Sequence, residues 1–305
     1  MTFDVSTQLG TLVELVKANR TAVDIEARRL RTTELLGSFD KRSQRSWCLA
    51  VMGDSLVRVR LFLEQNFNFV ETMGIVAVSR YLFELSVWLK LFEHDERYGL
   101  VYYGQLLETQ QKYFADYLEQ LHREVEMLRA FEKKEQEALK AVMDEAGPPE
   151  DVENRIRSNT EAIDAEAARS FSIYAEQAKV NGYGFQAYLV ENKAVAEVEA
   201  ALTELRAEQA DFDTHVLPAI KDLALTKNNK KKRWEWKDMA DRVGLLPEYH
   251  FLYAFASKLL HATPASITTN HKNLEPAEFV VFLKYINVKT IELIDLAHRY
   301  PCAAA

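Results

Sequence analysis

The stretch FADYLEQLHREVEML, Phe114–Leu128, decides the fold class. Phe114, Tyr117, Leu121, Val125 and Leu128 are spaced by threes and fours, which gathers apolar side chains into one helix-packing seam. Charged residues fill the positions between them and read as a solvated face. Outward from this seam no proline intervenes between Val101 and Glu145, and none precedes Pro148 anywhere in the chain. Nearly half the sequence can therefore run as long helices, broken only at glycine and polar junctions. No sustained period-two run is bounded by hairpin turns. The expected fold is all-α: an elongated helical bundle with a long, coiled-coil-like helical insertion.

The pattern predicts helices over about 5–36, 43–65, 69–93, 101–145, 151–180 and 185–209. GSFDKRSQRS, NFN, EHDERYG with Gly99, GPPED and NGYG act as the intervening breaks, and Asp151 reads as an N-cap. Beyond a basic stretch, WKDMADRV forms a short helix stopped at Gly244. Pro247 starts another, and Pro276 sits in the first turn of a last amphipathic helix. From 108 to 170 there are 16 acidic and 9 basic residues, so this region is expected to be a solvated acidic arm. The chain accordingly divides into 1–104, the N-terminal half of a helical core; 105–225, the inserted arm; and 226–305, the C-terminal half of the core.

Composition sets outer limits. The chain has 305 residues, 48% hydrophobic and 28% charged, with only 10 Gly and 7 Pro, as expected of a helix-rich protein with a substantial core. No stretch reaches the ~20 apolar residues of a membrane span, and MTFDVSTQLG lacks the basic and apolar regions of a signal peptide. Cys48 and Cys302 are the only cysteines, which fits a reducing cytoplasm and provides neither a disulfide framework nor a zinc ribbon. A net charge of −8 opposes general nucleic-acid affinity but leaves room for a local basic patch.

Two segments carry polar residues in core-like surroundings. In YAFASKLLHATP, Tyr253, Ser257 and His261 recur every four residues, forming one ladder on a helix. In SRYLFEL, Arg80 and Glu84 lie one turn apart among apolar neighbours. The bland reading is a hydrogen-bonded polar seam with an in-helix Arg80–Glu84 pair. The functional reading is a catalytic or binding pocket of His261, Arg80, Glu84, Ser257 and Tyr253, with His261 titrating near neutrality and Arg80 holding phosphate.

Arg80-x-x-x-Glu84, a later Trp-containing segment (Trp234 or Trp236) and Tyr253-x-x-x-Ser257-x-x-x-His261 together resemble a bacterial all-helical family of unknown function. The matching blocks cover about 70–105 and 234–264, and the resemblance implies a site at these residues without supplying an activity. More loosely, the chain is similar to the HEPN class of helical bundles, some of which are metal-independent ribonucleases acting as dimers. Those enzymes carry Arg with His four to six residues further on. No histidine of this chain has an Arg at that spacing, and Lys258, one turn before His261, lacks the guanidinium fork.

Three further signals bear on function. Lys230, Lys231, Lys232, Arg233 and Trp234 lie in KNNKKKRWEW, which reads as a charged loop with anchoring tryptophans, as a phosphate-and-stacking contact for nucleic acid, or as a dock for an acidic partner. Glu119-x-x-His122, Asp295-x-x-His298 and His94-Asp95 fall short of a di-metal carboxylate set, so no metal and no cofactor is expected. No Gly-rich phosphate loop or G-x-S-x-G is present. The expected function is a helical binding or interaction protein whose seam takes an anionic or nucleotide-like ligand, with a homo-oligomer or protein partner through the arm. The alternative is a metal-independent, HEPN-like ribonuclease or toxin of bacterial stress or phage defence.

Overall fold

The computed structural model describes residues 5–33, 39–65, 71–145, 147–223, 235–261 and 273–300, and every regular element among them is helical. The helices are α1 (Val5–Ala18), α2 (Arg20–Thr33), α3 (Gln44–Gln65), α4 (Thr72–His94), α5 (Tyr98–Asp144), α6 (Pro149–Ala167), α7 (Ala175–Asn181), α8 (Tyr183–Leu189), α9 (Val195–His215), α10 (Leu217–Ile220), α11 (Trp236–Arg242), α12 (Leu246–Glu248), α13 (Ala254–Leu260) and α14 (Pro276–Arg299). One π-helical turn, Val190–Ala194, joins α8 to α9, and another, Tyr249–Tyr253, joins α12 to α13. The chain forms two compact units, 105–213 and the remainder.

In the unit built from 1–104 and 214–305, α4 is central because it is apolar nearly all round. Ile75, Val78, Leu82, Phe83, Leu85, Leu89 and Phe92 are all buried. It packs against α14, α13, α3 and α11, while α2 lies on α3 and α1 on α14. The single first helix expected over 5–36 is instead two. Asn19 breaks it and spends its side-chain amide on the Leu15 carbonyl (3.3 Å) and on Asn287 Oδ1 of α14 (2.8 Å). A short polar side chain that competes with the helix backbone ends the helix, and here it also ties α1 to its neighbour.

Asp95 ends α4 and accepts the Arg97 N–H at 2.9 Å, so a tight turn leads straight into α5. Burial would raise the Asp95 carboxyl, but bonds from the Arg97 side chain and backbone outweigh it and hold it below its ordinary value. Gly99, expected as a turn residue, lies inside the first turn of α5. A Cβ there would stand 2.4 Å from the Gln44 carbonyl oxygen and 3.0 Å from Cys48 Sγ. Its role is close approach between α5 and α3. The 214–223 segment is tied into this unit, since Arg97 Nη1 meets Asp222 (2.9 Å) and Arg242 Nη1 donates to the Leu223 carbonyl (3.4 Å).

In the 105–213 unit, the expected seam residues Leu121 and Leu128 are fully buried and continue to Phe131, packing with Ile163, Tyr183, Ala187, Val198 and Leu202. Gln111 on α5 donates to Gln209 on α9, and Arg129 to Glu191 just before α9, so the two helices run antiparallel. α6 also runs antiparallel to α5, with pairs Arg155–Glu145 and Lys134–Glu166. Pro149 occupies the first position of α6 and Glu150 and Asp151 its first turn. Asp151 therefore favours the helix dipole from inside the helix rather than capping it.

The helix expected to reach Val180 ends at Ala167. Ser172 then accepts the Tyr174 and Ala175 N–H groups (3.2 and 2.9 Å) and starts α7. Ser172 donates in turn to Glu124 Oε2 at 2.6 Å, while Glu124 Oε1 takes the Ile173 N–H at 2.9 Å and the Gln120 amide at 3.1 Å. Glu124 is 1% exposed, so one acid of the expected solvated arm is a buried organiser of the α6–α7 loop.

Candidate functional site

The 249–261 segment and α4 build one polar cluster. α4 places Arg80 and Glu84 one turn apart on a partly open side, and Arg80 Nε donates to Glu84 Oε1 at 3.0 Å. Both side chains retain about a quarter of their exposure, 26% and 25%. Burial pushes the Glu84 carboxyl above its ordinary value, and the opposing pull of Arg80 only partly offsets it. Arg80 Nη2 donates to Tyr253 Oη at 3.2 Å, and the guanidinium carbon stands 4.8 Å from the centre of the Tyr253 ring. Among the described residues Arg80 Nη1 has no partner.

Aromatic rings enclose this contact. Tyr249 stacks on Tyr253 (5.1 Å, 18° between planes), with Phe83 at 5.6 Å and Trp236 at 6.3 Å. The row continues from Trp236 to Trp88 (6.5 Å) and on to Tyr102 (5.1 Å). Aromatic faces in such a row hold an adjacent guanidinium by cation–π attraction and offer planar surface for stacking.

The π-turn carrying Tyr249 and Tyr253 is pinned at its start. Glu248 accepts from Tyr285 Oη and from Lys289 Nζ, each at 3.0 Å. Lys289, its side chain 6% exposed, also binds Glu292 (2.6 Å), which in turn meets Lys90 of α4. Burial, then the Glu248 charge, pushes the Tyr285 phenol well up, so it stays a hydrogen-bond donor. A buried lysine shared by two carboxylates fixes the register of α14 against the turn that presents the aromatic pair.

The sequence-derived site residues are thus distributed unevenly. Arg80, Glu84 and Tyr253 are in contact. Ser257 is half-buried one turn beyond Tyr253, and its carbonyl accepts the His261 N–H at 3.2 Å. His261 ends α13 with extended backbone and an exposed side chain, and it is not among the partners of Arg80. The seven residues of α13 separate Tyr253 from His261, roughly 12 Å along the axis. Lys230, Lys231, Lys232, Arg233 and Trp234 lie outside the described residues. Of the two candidate tryptophans, Trp236 joins the aromatic row.

Tyr249, Phe83, Glu248, Tyr285 and Lys289 were not anticipated. Tyr249 was legible, because the four-residue ladder extends backward to it. The lysine network was not, because it joins residues about 40 positions apart.

The metal-like dipeptides and pairs have other partners. Glu119 binds Arg123 (2.7 Å), His298 Nδ1 faces Glu26 Oε1 (2.9 Å), and Asp95 serves Arg97. Among the described residues no three His, Cys, Asp or Glu side chains converge as a metal-ligand group. Cys48 is fully buried and its thiol is pushed up to about 12, chiefly by burial, so it is no nucleophile at neutral pH. Among the described residues no helix is long and apolar enough to cross a membrane.

Comparison with known proteins returns nothing for this chain: no family model matches it, and no curated protein or solved structure matches it significantly. The class defined by fold and site is therefore an all-α protein with a half-open Arg–Tyr seam in an aromatic frame.

Proposed function

We propose that this chain is a binding protein whose Arg80–Tyr253 seam receives an anionic, nucleotide-like ligand. The observation that carries the reading is the partner set of Arg80. Nε and Nη2 are held by Glu84 and Tyr253, whereas Nη1 is left without a partner among the described residues on a side chain that is still 26% exposed. A guanidinium locked on two sides presents its remaining N–H groups at fixed angles, which suits a phosphate or carboxylate oxygen. Tyr249, Tyr253 and Trp236 supply the planar faces that a base stacks on.

The basic run Lys230–Arg233 with Trp234 extends this reading toward RNA on sequence grounds alone. A homo-oligomer or protein partner through the arm expected over 105–225, and a bacterial, cytoplasmic setting, rest on sequence grounds as well, the last on the scarcity of cysteine.

One observation favours a second reading, a metal-independent HEPN-like ribonuclease. The exposed His261 side chain ends the helix that follows Tyr253, so a general base is open to solvent. Metal-free RNA cleavage by wild type and His261→Ala separates the two. No cleavage by either, with nucleotide binding retained, is the outcome expected of a binding protein. Cleavage lost only in His261→Ala would establish the nuclease, and equal cleavage by both would remove His261 from catalysis.

A further inference from the structure

The 105–213 unit contains a cleft of about 430 Å³ that plays no part in the site above. Ligand pockets run roughly 300–1,000 Å³, so this space suits a small organic molecule. It lies between the C-terminal part of α5, the facing part of α6 and the Gly182–Phe185 entry to α8. Its walls are largely apolar, from Leu139, Ile156, Ile163, Tyr183 and Phe185. Leu139 is 48% exposed and Phe185 56% exposed, so the cleft presents apolar surface to water at its mouth.

One polar feature distinguishes it. The acids around the cleft are matched in turn: Glu132 by Arg129 (3.0 Å), Glu137 by Lys133 (3.7 Å), Glu166 by Lys134 (2.5 Å) and Asp164 by the Tyr183 hydroxyl (2.8 Å). Glu135, on the cleft wall, is not; among the described residues it has neither a cation nor a hydrogen-bond donor. Glu135 is half-buried, and the charges that act on it, Asp164 and Glu132, share its sign. Gly184 adds to the fit. A Cβ at that position would stand 2.1 Å from Glu132 Oε1, so the bare backbone lets the Glu132 carboxylate seat at the cleft edge.

We propose that this cleft is a binding site for a small amphipathic organic cation, a primary ammonium on an aromatic or aliphatic body. The ammonium pairs with Glu135 in the field of Glu132 and Asp164, and the body lies on Leu139, Ile156, Ile163 and Phe185. Burial is the main cause that raises the Glu135 carboxyl, and the like charges of Asp164 and Glu132 add to it; a ligand cation would offset that smaller, electrostatic part. A divalent metal fits less well, because a hard cation needs several converging oxygen ligands and the described residues form no such group here. An uncharged ligand of the same shape would leave Glu135 without a partner, so selectivity for the cation follows from charge and affinity from the apolar walls.

The test uses the full-length chain and 4-phenylbutylamine as probe, with 4-phenylbutanol as its neutral counterpart and spermidine as a cation without an aromatic body. Titration followed by the methyl resonances of Leu139, Ile156 and Ile163 should show saturable binding of the amine. The alcohol and spermidine should each bind at least tenfold more weakly, and Glu135→Gln should weaken the amine at least tenfold. Leu139→Lys, which sets a tethered ammonium at the mouth, should compete and abolish the shifts. Absence of amine binding, equal binding of amine and alcohol, or undiminished binding by Glu135→Gln would each overturn the proposal. None of these results bears on Arg80, so the two sites fail independently.

Discussion

Glu124 in the 105–213 unit and Glu84 in the other occupy opposite kinds of polar environment. The Glu124 carboxylate is 1% exposed and takes three hydrogen bonds, from Ser172, Ile173 and Gln120. The Glu84 carboxylate is 25% exposed, and its Arg80 partner keeps a nitrogen unspent. A closed network, with its donors and acceptors matched internally, specifies a loop and leaves nothing for a ligand. An open one, with donors held in place and water at its edge, is where binding is chemically available. Both burial and the count of satisfied atoms separate the two.

The largest effect should come from breaking the closed network. Glu124→Ala removes the acceptor for the Ile173 N–H and the Ser172 hydroxyl and is expected to cost about 3 kcal/mol. The check is the denaturant midpoint of the full-length chain, with loss of hydrogen-exchange protection centred on 170–178. A change below ~1 kcal/mol would mean that the loop is held by other contacts.

Next is the closed packing of the other unit. Gly99→Ala drives a methyl toward the Gln44 carbonyl, so α3 and α5 must separate. A cost of ~1–3 kcal/mol is expected, as for other overpacked contacts, and it is read from the thermal midpoint. Neutral behaviour would show that the α5 start adjusts freely.

A smaller effect separates the open carboxylate from the closed one through pH. Burial holds the Glu84 carboxyl above its ordinary value of 4.5, so the folded chain keeps that proton at pH values where the unfolded chain has lost it. Its contribution to stability is therefore full below the ordinary value and declines as pH rises through the folded one, the reverse of a salt-bridged acid whose value is lowered. Glu84→Gln should flatten this slope, measured as the wild-type minus variant difference in unfolding free energy between about pH 4 and pH 7. An unchanged slope would place the titration elsewhere.

Much of the architecture was legible in residue spacing. The apolar seam of α5, the Gly244 stop and the Pro276 start all act locally, and the structure has each of them. Gly244 takes φ +73, a backbone geometry that glycine adopts without strain. The structure departs from pattern where a distant side chain decides. Asn19 ends a helix with the help of Asn287, Ser172 starts one with the help of Glu124, and Gly99 is set by the approach of Gln44. At the site, Arg80, Glu84 and Tyr253 were readable because polar residues stood out at helical spacing in apolar company. Lys289 and Tyr285 were not, since a lysine at helical spacing looks solvated until Glu248 and Glu292 are seen around it.

The comparison turns on whether the open seam binds what its donors are shaped for. Titration of adenosine monophosphate into wild type and Arg80→Gln tests this most directly. Arg80–Glu84 is a partly exposed pair, so the substitution should change stability by no more than about 1 kcal/mol. The account predicts saturable binding by the wild type and at least a tenfold loss in Arg80→Gln, with the fold intact. Equal affinity for both proteins, or no binding by the wild type, would contradict it.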